Sequence, residues 1–335
     1  MKIIRTDAEL QTPITDATLR SAGHELVTLP DGIDEDSLIA AIADADLLLM
    51  CYTPITARVI DAAPKLRGIV KYGVGLDAIN IPAAKARGVT VVNIPEYAEE
   101  TVAEGAFALM IALAKRLIPL DREMRAAGWA WPEPAWLGSD IAGKTIGIVG
   151  FGKIGRSMAR MCGKGFRADV VAYSPHTPAS EMAAEGVRHA ETLHALLAQS
   201  DVVSIHCVLN DNTHHLIGEP ELRAMQSHAH LINVSRGAIV DEAALVLALQ
   251  EGWIGGAGLD VFSEEPLRRA GHMISPLYDM DNVILSPHLT FYTAEAMERL
   301  ENETLERCNE LLDAKPVTIK SRDPRLQGQP GARYP

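Results

Sequence analysis

Cysteine is scarce, with four among 335 residues. Cys51, Cys162, Cys207 and Cys308 lie far apart and form no CxxC pair. That excludes a disulfide framework and a thiolate zinc site, and it suits buried thiols in a reducing compartment. Runs of basic residues are missing too. The formal charge is −13, which argues against a nucleic-acid surface, since that needs clustered Lys and Arg. No stretch approaches a membrane span, and MKIIRTDAEL lacks the long apolar core of a signal peptide. A cytoplasmic protein with no membrane partner is expected. Histidines and carboxylates nowhere adopt metal-ligand spacing, so metal-free chemistry is expected. There is no internal repeat and no low-complexity core.

What is present is alternation. Short apolar runs alternate with helical patterns from end to end, the signature of an α/β chain with parallel sheets. Its length suits two domains. Strands are expected near Lys2–Arg5, Leu47–Cys51, Gly68–Tyr72 and Val89–Asn93, with helices such as Ser37–Ala45 and Pro82–Arg87 between them. Thr101 and Glu104 have capping-box spacing and predict a helix start, followed by apolar positions at helical spacing to Leu117. Residues 128–140, GWAWPEPAWLGSD, carry three of the four tryptophans. They read as an arm packed on a second subunit or on this chain's own core. Six further apolar runs from Thr145 to Leu285 predict one doubly wound sheet of about six strands. A last helix is expected over 293–313, and a poorly ordered end is expected for the Pro-, Gly- and Arg-rich tail.

Within KTIGIVGFGKIG, residues 144–155, an apolar run meets Gly150, Gly152 and Gly155 and then a helical pattern. Gly150 permits a tight turn, Gly152 lets the backbone approach a pyrophosphate, and Gly155 allows close helix–strand packing. N–H groups at the helix start, at Lys153 and Ile154, would face the phosphates. Dinucleotide binding is the expectation. An acidic residue for the ribose 2′-OH is due about twenty positions on, but that place holds Ser174. A serine does not repel a 2′-phosphate, so NAD and NADP both stay open.

Four stretches, GIVGFGKIG, LINVSRGAIVDEAALVLAL, GGAGLDVFSEEP and NVILSPHLT, together resemble the successive motifs of the D-isomer-specific 2-hydroxyacid dehydrogenase family, over about residues 45–310. The resemblance implies two Rossmann-like domains, with a central doubly wound parallel sheet inserted in a smaller flavodoxin-like substrate domain. Residues 1–100 and 298–335 would form the substrate domain, and 101–297 the NAD(P)-binding domain. It also implies an NAD(P)-dependent oxidoreductase acting on a small 2-hydroxy or 2-oxo acid, working as a homodimer, with NAD the commoner cofactor.

Reducing a 2-oxo acid needs a cation for the carboxylate, a proton donor for the alkoxide and a group behind the donor. Arg236, just past LINVS, suits bidentate carboxylate binding. His288 fits the family's proton-donor position, and Glu265 matches the carboxylate that hydrogen-bonds it and raises its pKa. Asp260 would hold the nicotinamide carboxamide, and Thr101 is a further cofactor-contacting candidate. KYGVGLDAI resembles the substrate loop, where N–H groups of Val74 and Gly75 would grip the acid. Lys71 stands where phosphoglycerate dehydrogenases carry a basic residue, which suits a substrate with a second anionic group such as 3-phosphoglycerate. Phe291 and Tyr292 instead resemble the lactate and hydroxyisocaproate branch. Alternatives are a dinucleotide-sensing corepressor-like protein with little turnover, or a formate or phosphite dehydrogenase.

Overall fold

Continuous apolar runs such as Leu47-Leu48-Leu49-Met50 have no outward polar face, so they must be covered on both sides. In the computed structural model, which describes residues 1–335, they are. The chain divides into two units, Met1–Ala98 with Thr293–Pro335, and Glu99–Tyr292.

The first unit holds five parallel strands, β1 (Lys2–Arg5), β2 (Glu25–Thr28), β3 (Leu47–Met50), β4 (Gly68–Lys71) and β5 (Thr90–Asn93), in the order β2-β1-β3-β4-β5. This is the flavodoxin-like order. The strand β2 was not among those expected. It is an edge strand with half-exposed side chains, so its sequence carries little of the apolar signal that marks the buried strands. The helix Ala294–Leu312 also belongs to this unit. Its start is capped by Thr293, whose hydroxyl accepts from Ala296 N–H. Midway along it, Glu301 accepts a 2.8 Å bond from Thr15 N–H. The whole helix is thereby committed to the first unit, and the division falls at Thr293 instead of 298.

The tail packs back on the first unit. Leu326 is fully buried, and Gln329 uses its amide as a strand would use its backbone. Its Oε1 accepts from Val91 N–H at 2.7 Å and its Nε2 donates to Val91 O at 2.9 Å. This side chain covers the open edge of β5, which would otherwise present unpaired backbone groups.

The second unit holds β6 (Thr145–Val149), β7 (Asp169–Tyr173), β8 (Arg188–His189), β9 (Val202–Ile205), β10 (His230–Asn233), β11 (Gly256–Leu259) and β12 (Val283–Leu285). They form one parallel sheet in the order β12-β11-β10-β9-β6-β7-β8, with separate apolar cores on its two faces. The chain order reverses between β6 and β9, where open α/β sheets bind ligands. The extra strand beyond the expected six is β8, two exposed residues at an edge.

The helix Glu99–Ala114 covers one face, packing Ala106, Leu109, Met110 and Leu113 in the same core as Ile146, Ile148 and Ile232. It starts two residues before the expected cap. Thr101 is therefore an interior, buried residue. Acidic Glu99 and Glu100 occupy the first turn instead, where the helix dipole favours them. Arg116 turns left-handed (φ 51°) and separates this helix from Leu117–Ala127. In the arm that follows, Trp129 is 59% and Trp131 72% exposed. The end of the arm does pack on its own chain, where Ser139 N–H donates to Ala114 O at 2.8 Å.

Candidate active site

The glycine turn follows β6 directly. Gly150 adopts φ +94°, and a Cβ there would lie 2.6 Å from Cys207 N. At Gly155 a Cβ would lie 2.2 Å from the Gly150 carbonyl oxygen. A side chain at either place would force the turn apart. Gly152 is different, because a Cβ there meets nothing within 4 Å. The space over the turn is open, as a pyrophosphate approaching the backbone requires. The helix Lys153–Arg160 begins there with no side-chain cap, and Arg156 N–H is the first to bond back to Gly152 O. The first-turn N–H groups, including that of Ile154, thus point out of the helix start. Lys153 pairs its ammonium with Glu99 at 2.9 Å, so its side chain braces the helix Glu99–Ala114. At the end of β7, Ser174 Oγ lies 3.1 Å from Thr177 Oγ1, with no carboxylate in its place. These residues fit a dinucleotide. His206 follows β9 directly. Burial pushes its pKa down to about 3, and Ser204 hydrogen-bonds its Nε2 at 2.8 Å.

Arg236, Glu265 and His288 come together at the carboxyl ends of β10, β11 and β12. His288 Nδ1 donates to Glu265 Oε2 at 2.7 Å, and the other oxygen, Oε1, accepts from Phe262 N–H at 2.8 Å. Burial acts to raise the Glu265 pKa. The hydrogen bond and charge of His288, the Phe262 N–H and the Arg236 charge outweigh it, and the carboxyl is held below its ordinary value. Glu265 is therefore a carboxylate at neutral pH. It fixes Nδ1 as the inner, proton-bearing nitrogen and leaves Nε2 as the outer one. His288 itself takes a left-handed backbone, φ 59°. Its ring meets Phe291 edge-on at 6.4 Å, and Phe291 meets Tyr292 at 5.9 Å.

Asp260 follows β11 directly, beside the turn after His288. It is fully buried. Its oxygens accept from Leu289 N–H (3.0 Å), Thr290 N–H (3.1 Å) and Thr290 Oγ1 (2.5 Å). These bonds fix the turn that follows His288.

Two positioning residues escaped the sequence analysis. Asn233, buried at the end of β10, donates from Nδ2 to Arg236 O at 2.9 Å and accepts from Ser235 N–H at 3.1 Å. It shapes the turn that presents Arg236. Gly237 follows, and a Cβ there would lie 1.9 Å from the Phe262 carbonyl carbon. Only glycine lets the Arg236 turn rest on the loop that carries Glu265. The signal for both was the string NVSRG, where a buried polar residue and a glycine flank the arginine.

In the first unit, Lys71 is buried at 6% exposure. Its ammonium donates to Cys51 O at 2.5 Å and lies 3.1 Å from Cys51 Sγ, beneath Gly73. The Val74 and Gly75 N–H groups find no acceptor in the chain. Asn93 Nδ2 holds the loop by donating to Val74 O at 2.6 Å.

Residues 107–290 match the family model described as D-isomer specific 2-hydroxyacid dehydrogenase, NAD binding domain. The chain belongs to the D-isomer-specific 2-hydroxyacid dehydrogenase family. It is 42% identical over 266 residues to a glyoxylate reductase of Korarchaeum cryptofilum, covering 78% of each. A D-3-phosphoglycerate dehydrogenase of Mycobacterium bovis is 38% identical over 87% of this chain and 54% of that one. Among solved structures, D-lactate dehydrogenase from Aquifex aeolicus complexed with NAD and lactic acid has a TM-score of 0.84 at 29% identity, over 93% of this chain and 96% of that one. As a member of this family the chain is an NAD-binding oxidoreductase of 2-hydroxy acids.

Proposed function

We propose that this dehydrogenase reduces a small, unphosphorylated 2-oxo acid of the glyoxylate class to its D-2-hydroxy acid or, for glyoxylate, to glycolate. The observation that carries it is the Arg236, Glu265 and His288 group at one sheet edge. The Arg236 guanidinium holds the acid and polarises its ketone. His288 Nε2 gives the proton that the carbonyl oxygen takes up as it becomes a hydroxyl. Glu265 accepts from Nδ1–H throughout and stabilises the charged imidazole before the transfer. When bound over the glycine turn, the dinucleotide supplies the hydride to the carbonyl carbon. Asp260 and Asn233 keep the His288 and Arg236 turns fixed. Val74 and Gly75 are proposed carboxylate donors, because their N–H groups lack acceptors.

Substrate size rests on Lys71 and on the glyoxylate reductase relative. The lysine's ammonium is engaged by Cys51, so it is poorly available to a second anion. A phosphorylated acid is the second choice, favoured by the phosphoglycerate dehydrogenase relative and by the nearness of the Lys71 ammonium to Gly73. For the cofactor, Ser174 admits NADP beside NAD. The exposed Trp129 and Trp131 support a homodimer joined through the arm, since a large apolar patch left in water marks an interaction surface.

The test is oxidation of NADH and of NADPH by the purified protein with glyoxylate, hydroxypyruvate, phosphohydroxypyruvate and 2-oxoisocaproate. Highest kcat/KM on glyoxylate or hydroxypyruvate supports the proposal, and highest kcat/KM on the phosphorylated acid transfers Lys71 to substrate recognition. His288→Ala must abolish turnover with the dinucleotide still bound. If dinucleotide binding is lost as well, His288 is structural.

A further inference from the structure

The residues described above end the strands of the second unit. The same strands begin at the opposite edge, roughly 15 Å away for strands of four to five residues. There, at the starts of β6, β9, β10 and β11, lies a cavity of about 250 Å³. Its polar wall contains Arg116, Asp140, Lys144, Asp201, His228 and His230.

Most of these groups are matched within the chain. Asp201 accepts from Lys144 Nζ (3.1 Å), His228 Nε2 (2.8 Å) and Thr145 N–H (2.8 Å). Asp140 pairs with Lys115 at 2.9 Å. His230 is largely buried, and that burial, with the charges of His228 and Arg116, lowers its pKa to about 4. It is neutral at pH 7 and adds no charge. Arg116 is the exception. Two carboxylates share its cavity, yet its guanidinium pairs with neither, and its Nε is buried without a partner. A buried donor left unmatched costs free energy that a bound acceptor recovers.

We propose that this cavity is a second ligand site, which takes a small aliphatic monocarboxylate on the unpaired Arg116 fork. A planar carboxylate matches the guanidinium in bidentate geometry. Leu113, Leu137 and Val202 line the rest and suit a short alkyl chain. Asp140 and Asp201 on the same wall repel a polyanion, which disfavours phosphate. The site uses no residue of the proposed active site, and the sheet's length separates the two.

The experiment is a ligand-observed NMR titration of the full-length protein with propionate, and in parallel with inorganic phosphate. Arg236→Gln weakens carboxylate binding at the active site, so the binding that persists in it is the relevant signal. Arg116→Asn is then added, because asparagine tolerates the left-handed backbone found there. The expected result is propionate binding that survives Arg236→Gln and weakens at least about tenfold with Arg116→Asn, a loss of about 1.4 kcal/mol. Ser139→Trp, which fills the cavity from the arm side, gives the same loss through a different residue. Binding that disappears in Arg236→Gln alone, that is unmoved by both cavity variants, or that is never seen would overturn the proposal. Phosphate binding more tightly than propionate would overturn the choice of ligand.

Discussion

Replacing Glu265 by glutamine keeps the shape of the side chain and removes its charge. The wild-type carboxylate receives two donors, one on each oxygen: Phe262 N–H at 2.8 Å and His288 Nδ1–H at 2.7 Å. An amide has a single acceptor oxygen, so one of these donors must face an NH2 group. A hydrogen bond to a charged group contributes about 1.5–3 kcal/mol. If the His288 bond is the one weakened, kcat/KM for 2-oxo acid reduction falls by about 10- to 150-fold, at about 1.4 kcal/mol per decade. The dinucleotide dissociation constant stays the same, because Glu265 lies apart from the glycine turn in the chain's hydrogen bonding. The pH profile carries independent information. The folded-state pKa of Glu265 lies below its ordinary value. Its pairing therefore contributes fully above the ordinary carboxylate range and is lost as pH falls through the depressed value. Wild type should lose activity and stability on that acid limb, and Glu265→Gln should show a flatter one. The measurement is steady-state reduction of glyoxylate across pH, with dinucleotide binding followed by fluorescence. An unchanged kcat/KM, or an equal loss of dinucleotide affinity, would refute the role of Glu265 behind His288.

Ser174→Asp introduces a charge that repels a 2′-phosphate, so the ratio of NADPH to NADH turnover should fall; an unchanged ratio would remove residue 174 from the ribose. Lys71→Met leaves Cys51 O without its 2.5 Å donor, and urea unfolding should show a loss of about 1–3 kcal/mol. Unaltered stability with a raised KM for phosphohydroxypyruvate would instead make Lys71 a substrate contact. Gln329→Ala removes both bonds to Val91 and should lower stability by about 1–3 kcal/mol; a tail that contributes nothing leaves the urea midpoint where it was. Trp129→Ser combined with Trp131→Ser should convert a dimer to monomer in sedimentation velocity, and a monomeric wild type would dismiss the arm as an interface.

Much of this molecule was legible in one dimension because its signals are local. The buried strands of both sheets are short apolar runs, and a strand covered on both faces can be little else. The turn at Gly150, Gly152 and Gly155 is likewise local, since strand, glycines and helix follow one another within KTIGIVGFGKIG. Arg236 and His288 could be named because each sits just past a strand end in a recognisable string, and Glu265 because its string resembles a family motif.

What the sequence left open depends on partners distant in the chain. The edge strands β2 and β8 carry little apolar signal, because one side of an edge strand faces water. The tail is tied to β5 by Gln329, which pairs with Val91, 238 positions earlier, and by Thr90, whose hydroxyl donates to Pro330 O. Asp260 was legible as a strand-end carboxylate, but only the folded chain brings Leu289 and Thr290 to its oxygens. Lys71 was legible as a cation, and the fold gave that cation to the carbonyl of Cys51. Sequence alone thus determined which backbone segments form sheet and which chemical groups end the strands. Tertiary structure decided which of those groups stay available to a ligand, because hydrogen-bond partners are chosen by proximity in space and each donor or acceptor can be committed only so many times.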